Sequence, residues 1–157
     1  MRTTQTLLAV TTALGLTAAP AAAANGVLIA QNPSVPESEK ARSKQITVMK
    51  DASFQLVLKA GLPIGFATDA AVVPHGQNAR EFGYRVRLGQ SPIAAILSAT
   101  KTAAEIIGWS DSVGTIEAGK FADVIAVAGD PLRDITELER VTFVMKNGTV
   151  YKHDGLK

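Results

Sequence analysis

Gly61-Leu62-Pro63-Ile64-Gly65-Phe66-Ala67-Thr68-Asp69 is the stretch on which the fold turns. A short, unbroken apolar run between Gly61 and Asp69 suits a strand covered on both faces, as in parallel sheets. It predicts a buried parallel strand over Pro63–Thr68. An acid directly behind such a strand stands where βα architectures set reactive groups. Asp69 is therefore the candidate catalytic carboxylate. The same position also suits a helix N-cap or a loop-closing acid. His75, in Val73-Pro74-His75-Gly76-Gln77-Asn78, follows six residues later. It can face the same mouth, or be an ordinary loop histidine.

Upstream, Ile46, Met49, Phe54, Val57 and Leu58 recur at helical spacing, which predicts a helix over Ser38–Ala60 that stops at Gly61. Gln31–Glu37 is turn-like, with Pro33 and Pro36, and Gly26–Ala30 reads as a short strand. Downstream, a helix is predicted over Asn78–Leu88, with Arg80 and Glu81 on its solvated face. Ser91-Pro92 supplies an N-cap and a proline at the first helical position. The helix behind it shows one face of Ile93, Leu97, Thr100, Ala104 and Ile107, and ends at Gly108. After Trp109 the pattern turns to strands at Thr115–Glu117, Val124–Val127, Val141–Lys146 and Thr149–Lys152. Asn147-Gly148 marks a two-residue hairpin between the last two.

The 157 residues are 46% hydrophobic but only 5% aromatic, so burial rests on Ala, Val, Ile and Leu. Sixteen bases against fourteen acids, with no Lys/Arg run interleaved with aromatics, describe an ordinary solvated surface and no nucleic-acid partner. Without cysteine there is no disulfide, thiolate metal site or lipidated cysteine. Arg2, the apolar core Leu7–Leu16, Pro20 and Ala22-Ala23-Ala24 compose a cleavable export signal, so residues 1–24 are expected outside the mature fold. The expected location is periplasmic or secreted, with no stable membrane anchor. Lys120 in Gly119-Lys120 is no phosphate loop, because no Gly-rich loop precedes it. His153 sits in a polar tail and is expected to be inert.

Gly65-Phe66-Ala67-Thr68-Asp69-Ala70, Pro74-His75-Gly76-Gln77-Asn78-Ala79-Arg80-Glu81-Phe82 and Gly89-Gln90-Ser91-Pro92 resemble the metal-dependent amidohydrolase superfamily. The similar branch is that of imidazolonepropionase-related, Xaa-Pro dipeptidase-like hydrolases. The likeness continues through Gly114-Thr115-Ile116-Glu117-Ala118-Gly119-Lys120-Phe121-Ala122-Asp123 to Gly129-Asp130-Pro131-Leu132 and Phe143-Val144-Met145-Lys146-Asn147-Gly148. It implies an α/β fold: the closing part of a (β/α)8 barrel, its last strand and helices, beside strands of a small β-sandwich. Residues 25–37 would be a short strand and linker, 38–108 the C-terminal part of the barrel, and 109–157 the sandwich strands. Asp69 would be both metal ligand and acceptor of the proton from metal-activated water, with His75 binding substrate. The metal would be divalent, zinc by expectation, and the substrate a small peptide or cyclic amide.

This sequence departs from that pattern. It holds only two histidines, His75 and His153, and no His-x-His pair. A hydrolytic metal site ordinarily draws about three protein ligands, and a complete barrel takes about 250 residues. The barrel is therefore expected to be incomplete in this chain and the isolated chain inactive and inclined to self-associate. The alternative is a non-catalytic remnant or an exported binding module.

Overall fold

The computed structural model describes residues 6–8, 33–68 and 76–155. The expected strand at 26–30, Asp69 and His75 lie outside the described residues.

Helix α1 spans Glu37–Lys59. Glu37 and Glu39 in its first turn and Lys59 in its last complement the helix dipole. Gly61, at φ +66°, accepts the left-handed conformation that ends it, and the Leu62 N–H returns to the Val57 carbonyl at 3.3 Å. The burial of α1 differs from the apolar face expected. Only Ser43 and Phe54 are buried, while Met49 and Leu56 are 65% and 66% exposed. Ile46, Met49 and Leu56 form a second apolar stripe turned away from Phe54.

From Leu62 to Thr68 the chain is irregular and half-buried from Ile64 onward, not the buried parallel strand expected. No strand lies beside it among the described residues. It is anchored instead through the Phe66 N–H, which donates to the Ser98 carbonyl at 2.9 Å.

Helix α2 covers Arg80–Arg87 and α3 covers Pro92–Ala99. The expected N-cap is present: Ser91 Oγ accepts the Ala94 N–H at 3.3 Å with Pro92 beside it. The single helix expected to Gly108 is two, because Thr100, at φ −125° and ψ −96°, breaks it before α4 (Lys101–Ile106). The buried face of α3 is Ala95, Ile96 and Ala99, whereas Ile93 and Leu97 face solvent.

Strands β1 (Thr6–Leu8), β2 (Val124–Val127), β3 (Val141–Lys146) and β4 (Thr149–His153) form an antiparallel sheet in that order. Thr6–Leu8, within the stretch read as an export leader, pair with Ile125–Val127. The β3–β4 turn has both central residues at positive φ, Asn147 at 48° and Gly148 at 78°, as a type I′ hairpin requires. Thr115–Glu117 is a loop rather than the expected strand. Gly114 and Gly119, both at positive φ, turn the chain on either side of it. A 3₁₀ turn, Ile135–Glu139, is capped by Asp134 through the Thr136 N–H at 3.0 Å.

Helices and sheet share one core. Phe82 of α2, Ala95, Ile96 and Ala99 of α3, Val127 of β2, and Ile135 and Leu138 of the 3₁₀ turn pack together, with Phe66 against them. The segment leading to Asp69 therefore rests on the most buried part of the molecule.

Candidate active site

Two charged residues one helical turn apart anchor that segment. Glu81 and Arg85 of α2 are 2% and 1% exposed. For Glu81 this corrects the solvated face expected from sequence; Arg80 does remain exposed. The (i, i+4) spacing puts both side chains on one face, and that face points into the core. Arg85 Nε donates to Glu81 Oε1 at 3.0 Å, Nη1 to Ser98 Oγ at 3.3 Å, and Nη2 to the Gly65 carbonyl at 3.2 Å. Ser98 Oγ in turn donates to the Ala95 carbonyl at 2.6 Å. The guanidinium lies 4.5 Å from the Phe66 ring centroid and 5.6 Å from that of Phe54. Phe66 and Phe82 stack at 4.3 Å. A buried cation is thus covered by two aromatic faces, which attract it, and by three oxygen acceptors.

The electrostatics are unevenly matched. Burial pushes the Glu81 carboxyl up to about 7, against the pull of Arg85, and the neighbouring Asp51 charge adds to the rise. Burial also lowers Arg85, with Glu81 opposing. Asp51 of α1 is raised by burial. Among the described residues, Glu81 Oε2, Asp51 Oδ1, Gln77 Oε1 and Gln90 Oε1 are buried without a hydrogen-bond partner. Such acceptors are few in folded proteins, and here three of them stand on or next to α2.

The chemistry of this cluster is to hold backbone in place. The site residues expected from sequence, Asp69 as the reactive carboxylate and His75 as a substrate-binding residue, lie beyond the described Thr68 and before the described Gly76. Among the described residues no group of three or more His, Cys, Asp or Glu side chains could hold a metal ion. His153 lies on β4, edge-on to Phe143 at 5.9 Å. Lys120 is engaged by Thr115 Oγ1 and, at 3.3 Å, by Glu117. A cavity of about 320 Å³ beside it is lined by Ser112, Phe121 and Asn147 among others. Sequence reasoning missed the Glu81–Arg85 pair. Its signal was the (i, i+4) spacing of opposite charges around Phe82 and Gly83, the two residues of α2 buried with them.

A sequence profile of the Amidohydrolase family matches residues 7–151. The chain belongs to the amidohydrolase family. Ochratoxinase of Aspergillus niger is 38% identical over 109 residues, which cover 66% of this chain and 22% of that protein. Adenine deaminase 4 of Rhizobium meliloti is 35% identical over 105 residues, 64% of this chain and 16% of the relative. Among solved structures, a Xaa-Pro dipeptidase with methionine bound in its active site superposes with a TM-score of 0.76 at 36% identity. That match covers 83% of this amidohydrolase chain and 33% of the dipeptidase. The crystal structure of A. niger ochratoxinase gives a TM-score of 0.68 at 28% identity, covering 87% and 32%. The chain thus spans about a fifth of the curated ochratoxinase and about a third of the dipeptidase structure. These relatives put the amidohydrolase chain in the TIM-barrel superfamily, whose members are in general metal-dependent.

Proposed function

We propose that this chain is the Asp69-bearing closing part of a hydrolase of C–N bonds, with small peptides or cyclic amides as its substrate class. The observation that carries the reading is the family match over residues 7–151, together with 36% identity to a Xaa-Pro dipeptidase across most of the chain. The buried Arg85 clamp supports it, because it fixes the segment that ends at Asp69. In this reading the segment 63–68, which pairs with no strand among the described residues, takes the place of the last strand of a (β/α)8 barrel, α2 to α4 are its helices, and the antiparallel sheet belongs to the small β-sandwich. Export of the protein is part of the proposal, supported by the Leu7–Leu16 core and Ala22–Ala24.

The described residues do not fit a metal ion by themselves. Asp69 supplies one carboxylate and His75 at most one imidazole, short of the three ligands a hydrolytic zinc site ordinarily uses. The isolated chain is therefore proposed to bind zinc weakly and to lack turnover. After loading with zinc and dialysis, elemental analysis should find well under one equivalent, and Xaa-Pro dipeptides should remain intact. Asp69→Asn should change neither of these two results, because a single carboxylate gives only a weak, exchangeable contact that dialysis removes. Stoichiometric zinc, with peptidase activity that Asp69→Asn abolishes, would refute the incomplete site. A second reading, an exported binding module without catalysis, is favoured by the presence of only two histidines. It predicts saturable binding of Xaa-Pro dipeptides without their cleavage.

A further inference from the structure

The polar ends of one peptide group are gripped from two sides. The Gly65 carbonyl accepts from Arg85 Nη2 at 3.2 Å, and the N–H of the same peptide group, that of Phe66, donates to the Ser98 carbonyl at 2.9 Å. Ser98 Oγ accepts from Arg85 Nη1, so the loop of contacts closes on itself. Glu81 holds the guanidinium from behind, and the Phe66 ring lies under it. A Cβ at Gly65 would meet Ile106 Cδ1 at 3.2 Å, so glycine leaves room for α4 beside this peptide. With its carbonyl and amide both fixed, a planar peptide can neither flip nor tilt. Asp69 follows the Phe66 Cα by three residue steps, at most about 11 Å of chain.

Core filling alone does not account for an arginine here. Met or Leu would fill the volume without desolvating a charge, which is costly in an interior. What arginine adds is a rigid, planar fork whose three nitrogens each reach a different acceptor, whereas the three donors of lysine share one nitrogen. We propose that Arg85 is a positioning residue: held by Glu81, it orients the 65–66 peptide and so restrains the chain three residues before Asp69. This rests on the reading of Asp69 as the reactive carboxylate.

The test compares the full chain with the charge-free pair Arg85→Met/Glu81→Leu, with Arg85→Lys, which keeps the charge and loses the fork, and with Asp69→Asn. Amide hydrogen exchange is followed by NMR at Phe66 and, as internal reference, at Ile96 and Ala99 of α3. Zn²⁺ alone is titrated while the backbone amide signal at position 69 is observed. Both Arg85 variants should speed exchange at Phe66 at least tenfold while Ile96 and Ala99 hold. Both should also weaken the Zn²⁺ response at Asp69 several-fold. Unchanged protection at Phe66 would overturn the proposal, as would a loss shared equally by Ile96 and Ala99, which marks general destabilisation. If Phe66 loosens as expected but Asp69→Asn leaves the Zn²⁺ response untouched, the reading of Asp69 falls and the positioning role falls with it.

Discussion

Replacing Arg85 by Met is the most informative single perturbation of stability. It removes the guanidinium from a site 1% exposed and leaves Glu81, 2% exposed, without its partner. Breaking a buried ion pair from one side costs about 3–5 kcal/mol, because the remaining charge stays uncompensated. Glu81 can partly escape by taking up a proton, since burial already pushes it up to about 7. The cost should therefore sit near the lower end, about 3 kcal/mol. The freed Gly65 carbonyl and Ser98 hydroxyl sit in a half-exposed segment and a helix with other partners, and add little. Against the roughly 5–15 kcal/mol that stabilises a typical domain this is a large fraction. With a urea slope of about 2 kcal/mol/M, the unfolding midpoint at pH 8 should fall by about 1.5 M. Adding Glu81→Leu should then recover most of the loss, because a packed apolar pair avoids the desolvation that the ion pair bears. Two results would refute this reasoning: a single variant within about 1 kcal/mol of the parent, or a double variant whose loss equals the sum of the singles.

Raising the pH should itself weaken the fold. The folded-state carboxyl of Glu81 titrates near 7, above its ordinary 4.5, so the stabilisation is complete below 4.5 and lost as pH rises through 7. The ceiling is about 3 kcal/mol, because each tenfold gain in proton affinity is worth about 1.4 kcal/mol. Urea unfolding at pH 4.5 and 7.5 should show most of this slope, and Glu81→Gln should flatten it; Asp51, also raised by burial, leaves a remainder of the same sign. Gly114→Ala should cost about 3 kcal/mol by thermal unfolding. Its Cβ would lie 2.6 Å from the Ala104 Cβ and 3.1 Å from the Thr100 carbonyl, at φ +96°. Expressed with its native start, the protein should be recovered outside the inner membrane with a new N-terminus at Ala24 or Asn25. Intact Met1 protein found only in the cytoplasm would defeat that expectation.

Local chemistry was the legible part of the sequence. Ser91-Pro92 capped α3, Asn147-Gly148 made its hairpin, and Gly61 stopped α1, because each is decided within a few residues of chain. What depended on neighbours was not legible. The run Ile64–Thr68 is apolar enough for a strand, yet a strand exists only where another lies beside it, and here a helix carbonyl takes its amide. Periodicity correctly made α3 helical but named Ile93 and Leu97 as its inner face, whereas Ala95, Ile96 and Ala99 are the buried ones. Small side chains let α3 approach Phe82 closely, and hydrophobicity ranking overlooks them. Glu81 looked solvated because acids almost always are; its burial follows from a cation four residues on, which a carbonyl twenty residues back helps to hold. For the candidate site, sequence proposes Asp69 as the reactive carboxylate with His75 binding substrate, and structure finds what holds the chain before Asp69.

The outer position of β1 bears on how the protein would behave under the proposed export, once its leader is cut. Thr6–Leu8 form the only ladder on the free side of β2 among the described residues, and β2 is the best-buried strand, with Val127 1% exposed. Cutting after the Ala22–Ala24 site removes those three residues and bares the amides and carbonyls of Ile125–Val127. An uncovered edge of Val and Ile is a template for strand addition between molecules. Processed protein should therefore be the form prone to fibrillar aggregation, and a charged residue introduced along β2's rim is the remedy that sheet-edge physics recommends.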